Sequence, residues 1–313
     1  MRRTPRDPAP TVVVTGASSG LGRGTAEAFG RRGADVVLVA RDGAALAEVA
    51  AGIEQSGGRA LVAVADVAVP GALERVADDA VSAFGRIDVW INNASVLAVG
   101  PFWDVPLADH ERVLAVNAGG MLAGAHAAIT RFRRQGDGVL LNVGSLEGDV
   151  PIAYHSSYAA SKAAVDTFTR VLAQELRLAG LHDRIRVGSI LPWALDTPLW
   201  QRVSNHLGRA PRMARMESPD RVVRAIVAAA ERPRLSQPVG VKASASGIGR
   251  RLAPHTMDRI AAVISEQQRR RASHTDTTDG ALHRPMHLPS AVHGTTRARM
   301  RREDAAADLP PAP

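Results

Sequence analysis

Cysteine is absent from the 313-residue chain, which excludes disulfides, thiolate metal sites and a cysteine nucleophile. Aromatic residues make up only 4% of it, and just two are tyrosines. Lysine is nearly missing as well: of 39 basic residues all but two are arginine. No apolar run approaches the roughly 18 residues of a membrane span. The start, "MRRTPRDPAPTVVVTGASSG", has positive charge but lacks the apolar stretch of about 7–15 residues that a secretory signal needs. A cytoplasmic protein without a membrane span is therefore expected. The net charge of +8 is spread along the chain, so it reads as an arginine-rich surface, not a nucleic-acid footprint.

What is plentiful is small and apolar. Hydrophobic residues reach 45%, enough to bury a full core. Short Val/Ile/Leu runs recur at 11–16, 34–40, 59–66, 87–93, 138–145, 184–192 and 237–243, with helical spacing between them. The first six are almost continuously apolar, as strands covered on both faces should be. Strand and helix alternating in this way predict an α/β fold: a Rossmann-type, doubly wound parallel sheet of about seven strands. Residues 1–9 read as an N-terminal extension and 10–267 as a single domain. From 268 to 313 large apolar residues thin out and charge is mixed, predicting a disordered basic tail. Its arginine clusters could meet a polyanion, although a solvated tail is the simpler reading.

"TVVVTGASSGLGRG" sets Gly16, Gly20 and Gly22 after the first strand and at the start of a helix, with Ser18, Ser19 and Leu21 in the same turn. A pyrophosphate needs close backbone approach there, and a helix N-terminus offers free N–H groups and a positive dipole. A glycine pattern alone is weak evidence, and a purely structural turn would also use it. The second strand ends at Ala40 and Arg41, with Asp42 one place later. An acidic residue at that strand end suits a ribose 2′-hydroxyl, whereas the arginine fork suits a 2′-phosphate, so NADP(H) is favoured over NAD(H).

In "SSYAASKAAV" Tyr158 and Lys162 stand four apart, on one helix face. A nearby ammonium favours the phenolate and makes tyrosine a better acid or base at neutral pH. The ammonium's slim stem also reaches ribose hydroxyls where a guanidinium fork would not fit. By itself the pair is common, and a helix-surface coincidence is then the better reading. Ser145 closes the fifth strand, at the end where doubly wound sheets bind ligands. Asn117 lies in a helical stretch beside Gly119 and Gly120.

The Thr-Gly-x-x-x-Gly-x-Gly loop from Thr15 to Gly22, together with Asn117, Ser145, Tyr158 and Lys162 at these separations, resembles the short-chain dehydrogenase/reductase family over roughly residues 10–245. The resemblance implies hydride transfer between a nicotinamide and a carbonyl or alcohol carbon. Tyr158 would be the general acid/base, Lys162 would lower its pKa and hold the nicotinamide ribose, and Ser145 would bind the substrate oxygen. Asn117 would anchor a proton-relaying water. Asp66 and Val67 would meet the adenine, Asn93 and Ala94 the ribose side, and Pro192 and Thr197 the nicotinamide. A homodimer or homotetramer and a small-molecule substrate are implied, and no metal.

Two positions depart from the family pattern: Ser95 and Trp193 stand where glycines are usual. Residues of about 193–218 take the place of a substrate lid, and Leu199, Trp200, Met213 and Met216 within it suggest a hydrophobic substrate. Tyr154 and His155 read as pocket wall, packing or polar loop. A non-enzymatic dinucleotide sensor on the same fold is the alternative.

Overall fold

A computed structural model describes residues 9–240, 254–286 and 288–307. The strands are β1 (Thr11–Thr15), β2 (Asp35–Ala40), β3 (Arg59–Val64), β4 (Val89–Asn92), β5 (Ala98–Val99), β6 (Gly138–Val143), β7 (Ile185–Pro192), β8 (Ser204–Asn205) and β9 (Gln237–Val239). Seven of them form one parallel sheet in the order β3-β2-β1-β4-β6-β7-β9, and β5 pairs with β8 separately. The expected strand at 237–243 is present through Val239, and positions 241–243 lie outside the described residues.

Helices cover both faces of the sheet: α1 (Gly20–Gly30), α2 (Gly43–Gln55) and α7 (Asp220–Glu231) on one side, and α3 (Ala72–Phe84), α5 (Gly120–Gln135) and α6 (Ser156–Leu178) on the other. In β1 the pleat sends Val12 and Val14 to the first layer and Val13 to the second, all fully buried. A strand packed on both sides cannot alternate polar and apolar residues, which explains the continuous valine run. α4 (Leu107–Leu114) joins α5 through a π-helical turn at Ala115–Gly119. That 107–135 stretch is apolar and long enough to cross a membrane, but half of its most apolar window is buried inside the domain.

The C-terminal region differs from the expected disordered tail over its described residues. α8 (Pro254–Arg271) and α9 (Thr296–Ala307) are helical, and Asn205 and Arg209 form antiparallel bridges with Thr278 and His274. Composition does not register the polar contacts that hold this region alongside a few buried apolar side chains, Leu282 and Met300 among them. Buried Arg212 pairs with Glu303 and Asp304 at 3.0 and 2.7 Å, and the segment between the helices is held through main-chain hydrogen bonds. Residues 308–313 lie outside the described set.

The order of strands reverses between β1 and β4, and doubly wound sheets bind ligands beyond the carboxyl ends of such strands. At that point a Cβ on Gly22 would sit 2.1 Å from the Gly16 carbonyl oxygen. Since backbone cannot swing aside as a side chain can, Gly22→Ala should lose more than about 3 kcal/mol in denaturant unfolding; a loss below about 1 kcal/mol would show that the junction yields.

Candidate active site

The glycine turn is a cradle made by close approach. Gly16 and Gly20 adopt positive φ, 69° and 57°, and a Cβ on Gly16 would meet the Ala94 Cα at 2.8 Å. Asn93 donates its side-chain amide to the Thr15 and Gly16 carbonyls at 2.9 and 3.4 Å. Its side chain therefore shapes the cradle. Ser19 caps α1 in extended backbone with no side-chain cap bond, and its hydroxyl accepts from Arg202. A cavity of about 240 Å³ runs from this turn past Arg41, Asp66 and Val67 to Tyr158, Lys162, Pro192 and Thr197. The cradle, helix start and basic side chains fit a dinucleotide's phosphates.

At the adenosine end, the Asp66 carboxylate accepts from the Ala68 N–H at 3.0 Å and from Arg112. Burial raises its pKa, but those hydrogen bonds outweigh it and hold the carboxyl below its usual range. Arg41 donates to the Ala281 and Leu282 carbonyls.

At the other end α6 carries Tyr158 and Lys162 one turn apart, both buried. The 3-10 turn Leu146–Gly148 presses on the same helix: a Cβ on Gly148 would lie 2.7 Å from the Ala163 nitrogen. Ser145 caps that turn, its Oγ accepting the Glu147 N–H at 3.1 Å, which leaves the hydroxyl proton free to point into the cavity. Asn117 sits in the π turn, a feature that often marks functional sites. Its carboxamide accepts from the Val96 N–H at 2.8 Å and donates to the Val96 carbonyl and the Ser161 Oγ, both at 3.0 Å. Ser145, Tyr158 and Lys162 thus line one cavity, and Asn117 is bonded to Val96 and Ser161 next to it.

The Lys162 Nζ donates to the Val143 carbonyl at 3.0 Å and lies 5.5 Å from the Tyr158 ring centre. Burial pushes the ammonium pKa down to about 8, against the pull of the Glu147 carboxylate. The Tyr158 phenol moves the opposite way from the lowering expected of a neighbouring ammonium. Burial and then Glu147 raise its pKa, and only the Ser145 and Ser95 hydroxyls oppose them. In a dry site, loss of hydration disfavours the phenolate.

Three residues gain importance that sequence reasoning did not give them. Glu147 is buried and accepts from or pairs with the equally buried His155 through Nδ1 at 2.9 Å. A lone glutamate two places after a strand-end serine carried no spacing signal. Ser95, noted only as a replaced glycine, has a buried hydroxyl beside the phenol. Trp193, the other replaced glycine, lines both this cavity and a second, apolar one of about 680 Å³. Its indole N–H reaches the Ala214 carbonyl at 3.4 Å, so the ring stands as a wall between the two. Met213 and Met216 are buried, and Trp200 donates to the Leu195 carbonyl at 2.9 Å. Tyr154, at an unusual positive φ of 73°, lines the apolar cavity and donates to Glu266 on α8 at 2.8 Å.

Comparison with known proteins agrees with this geometry. A family model for short chain dehydrogenases matches residues 10–208. An uncharacterized oxidoreductase of Bacillus subtilis, YxnA, is 35% identical over 252 residues, 80% of this chain and 70% of the relative. The 3beta-hydroxysteroid dehydrogenase 1 of Eggerthella lenta is 38% identical over 191 residues, 60% of this chain and 72% of the relative. A short-chain dehydrogenase from Sphingobium yanoikuyae, solved in complex with NADPH, superposes with a TM-score of 0.67 at 32% identity, covering 79% of this chain and 94% of that one. The chain belongs to the short-chain dehydrogenase/reductase family. It is an NAD(P)-dependent oxidoreductase acting on CH–OH groups.

A lysine lowered from 10.5 to about 8 binds fewer protons folded than unfolded between those values, so its burial opposes folding at neutral pH. The cost fades as pH rises from 8 to 10.5. A shift of this size corresponds to about 3 kcal/mol. Lys162→Met should therefore raise the melting temperature at pH 7 by about 5 °C or more while turnover collapses; an unchanged or lower value would mean that burial is not costly there.

Proposed function

We propose that the chain is an NADP(H)-dependent oxidoreductase that transfers a hydride between the nicotinamide and the carbonyl or secondary alcohol carbon of a hydrophobic substrate. The observation that carries this reading is the convergence of Ser145, Tyr158 and Lys162 on one cavity that continues to the glycine cradle and Arg41.

The bound nicotinamide supplies the hydride chemistry. Gly16, Ser18, Ser19, Gly20, Leu21 and Gly22 hold the phosphates against the start of α1. Arg41 recognises a 2′-phosphate, Asp66 and Val67 flank the adenine, and Asn93 and Ala94 shape the ribose side. Pro192 and Thr197 bound the nicotinamide end, and Lys162 reaches the ribose hydroxyls. Ser145, its hydroxyl proton left free by the Glu147 N–H bond, donates to the substrate oxygen. Tyr158 gives that oxygen its proton in reduction and takes it in oxidation. Asn117, its carboxamide spent on Val96 and Ser161, fixes the π turn beside the lysine, where a relaying water would be anchored.

Support for a hydrophobic substrate comes from the 680 Å³ cavity next to Tyr154, His155 and Trp193, roofed by Met257, Ile260 and Ile264 of α8. The named activity of the Eggerthella lenta relative is of the same kind. Exposed Leu114 and Leu122 along the α4–α5 stretch, with Val171 and Leu178 on α6, support a homodimer or homotetramer built through these helices. A cytoplasmic location goes with this reading, since the reduced cofactor is an intracellular reagent.

With NADPH and a panel of ketones, Tyr158→Phe should lower kcat by about a thousandfold or more and leave NADPH binding within about twofold; turnover within tenfold of the original would remove Tyr158 from its role. In the unmodified chain NADPH should bind at least about tenfold more tightly than NADH, and the reverse order would reassign Arg41. Glu147 raises the pKa of both Tyr158 and Lys162, so neutralising it should lower both. For Glu147→Gln, the rise of alcohol oxidation with pH should move toward acid by up to about one pH unit, read from kcat/KM profiles. A profile that stays put would show that Glu147 acts through shape alone.

A further inference from the structure

We propose that residues 279–286 and 288–295 form a strap that, folded down as in this structure, competes with the dinucleotide for its own cleft, so that cofactor binding has to lift it. The inference rests on the dinucleotide reading above and goes beyond it.

The strap crosses the cleft from end to end. At the adenosine end Arg41 donates to the Ala281 and Leu282 carbonyls, and Arg112 to the Leu282 carbonyl at 3.2 Å. His283 meets the buried Asp109 at 2.8 Å. Over the phosphate turn the Gly20 N–H donates to the Ala291 carbonyl at 2.7 Å, and the Ser290 hydroxyl donates to the Ser18 carbonyl. Arg23 donates to the Ser290 carbonyl at 2.8 Å. Near the nicotinamide end the Gly294 and Thr296 N–H groups donate to Asp196, at 2.8 and 3.0 Å, next to Thr197.

These are the donors a phosphate would use. The N–H at the start of α1 and the Arg41 fork are both committed to strap carbonyls, and one donor cannot serve a carbonyl and a phosphate at full strength. Space gives the same answer. Ala281, Pro285 and Met286 wall the cleft, leaving about 240 Å³, whereas sites for drug-sized ligands measure roughly 300–1,000 Å³ and a dinucleotide is larger than those. The strap's seat is shallow. Leu282 is its anchor, 1% exposed and packed in the cluster that contains Tyr158, while Asp279 and His283 are exposed. A segment held mostly by polar bonds, with Leu282 as its one buried apolar side chain and Val292 half-buried near Gly24 of α1, is suited to release.

When the binding-competent form is a fraction of the population, apparent affinity falls by that fraction. The test compares the full chain with the double variant Leu282→Asp, His283→Ala, neither residue belonging to the catalytic or cofactor machinery. NADPH and NADH are titrated by fluorescence, and hydrogen exchange of the 279–295 peptides is followed with and without saturating NADPH. Loosening the strap should tighten NADPH binding by about tenfold with kcat within about twofold, and NADPH should speed exchange in the strap of the unmodified chain. Equal or weaker binding by the variant, or slower exchange on adding NADPH, would overturn the strap as a competitor. Should the variant fail to fold, the exchange measurement on the unmodified chain still decides. If neither form binds NADPH or NADH, the dinucleotide reading falls and the strap's role falls with it.

Discussion

A single hydroxyl ties the two halves of the sheet together at the point where the cleft opens. Thr15 Oγ1, at the end of β1, donates to the Ile91 carbonyl of β4 and accepts the N–H groups of Asn93 and Ala94 at 2.9 and 3.0 Å. The two strands part just beyond it, one toward the glycine turn and the other toward Ser95. Because the hydroxyl is buried and all its bonds are made inside the protein, the strand ends are fixed relative to each other. The close packing of Gly16 on Ala94 follows from that register, as does the place of Ser95 beside the Tyr158 phenol. A valine would fill the same volume, but would leave two N–H groups unpaired at the base of the cleft, a cost of about 1–3 kcal/mol each.

The other end of the site is built at the expense of stability. Lys162, Glu147, His155 and Tyr158 are all buried in one neighbourhood, and each charged group there loses hydration. The surrounding sheet can carry this cost. Its central strands β1, β2, β4 and β6 are rich in Val, Leu and Ile and buried on both faces, and burial of that kind contributes roughly 25 cal/mol per Å². Glu147 also lowers the cost locally, since its carboxylate offsets the lysine's charge while its main chain orients Ser145.

Much of this was legible in the sequence, and the limits are physical. The strand runs gave the sheet because a strand covered on both faces has to be apolar throughout. Tyr158 and Lys162 share a helix face and Ser145 stands at a strand end, but it is the resemblance of their separations, and of Asn117, to a family pattern that singled the four out as candidates. Glu147 and Ser95 escaped because neither lies at a spacing that chemistry dictates: Glu147 matters through the dryness of its surroundings, and dryness belongs to the fold. Trp193 was visible as a departure, but which cavity its ring faces depends on the Ala214 carbonyl, 21 residues on. The C-terminal segment escaped for a further reason. Composition measures apolar area available for burial, whereas this segment is ordered by carbonyl oxygens, which every residue has, meeting side chains as far as 267 positions away.

Four of those side chains show what arginine offers this cleft that lysine does not. Arg23, Arg41, Arg112 and Arg202 each donate to a carbonyl of the strap, and Arg41 spans two successive ones. A planar fork with several fixed donors does this readily, whereas an ammonium on a flexible stem would make one bond at greater entropic cost. The geometry that grips paired carbonyls also grips paired phosphate oxygens, so an arginine-lined cleft suits both a segment of its own chain and an anionic cofactor. At position 162 the requirement reverses: a narrow charge has to fit beneath a tyrosine and still reach the Val143 carbonyl, and there the chain has a lysine.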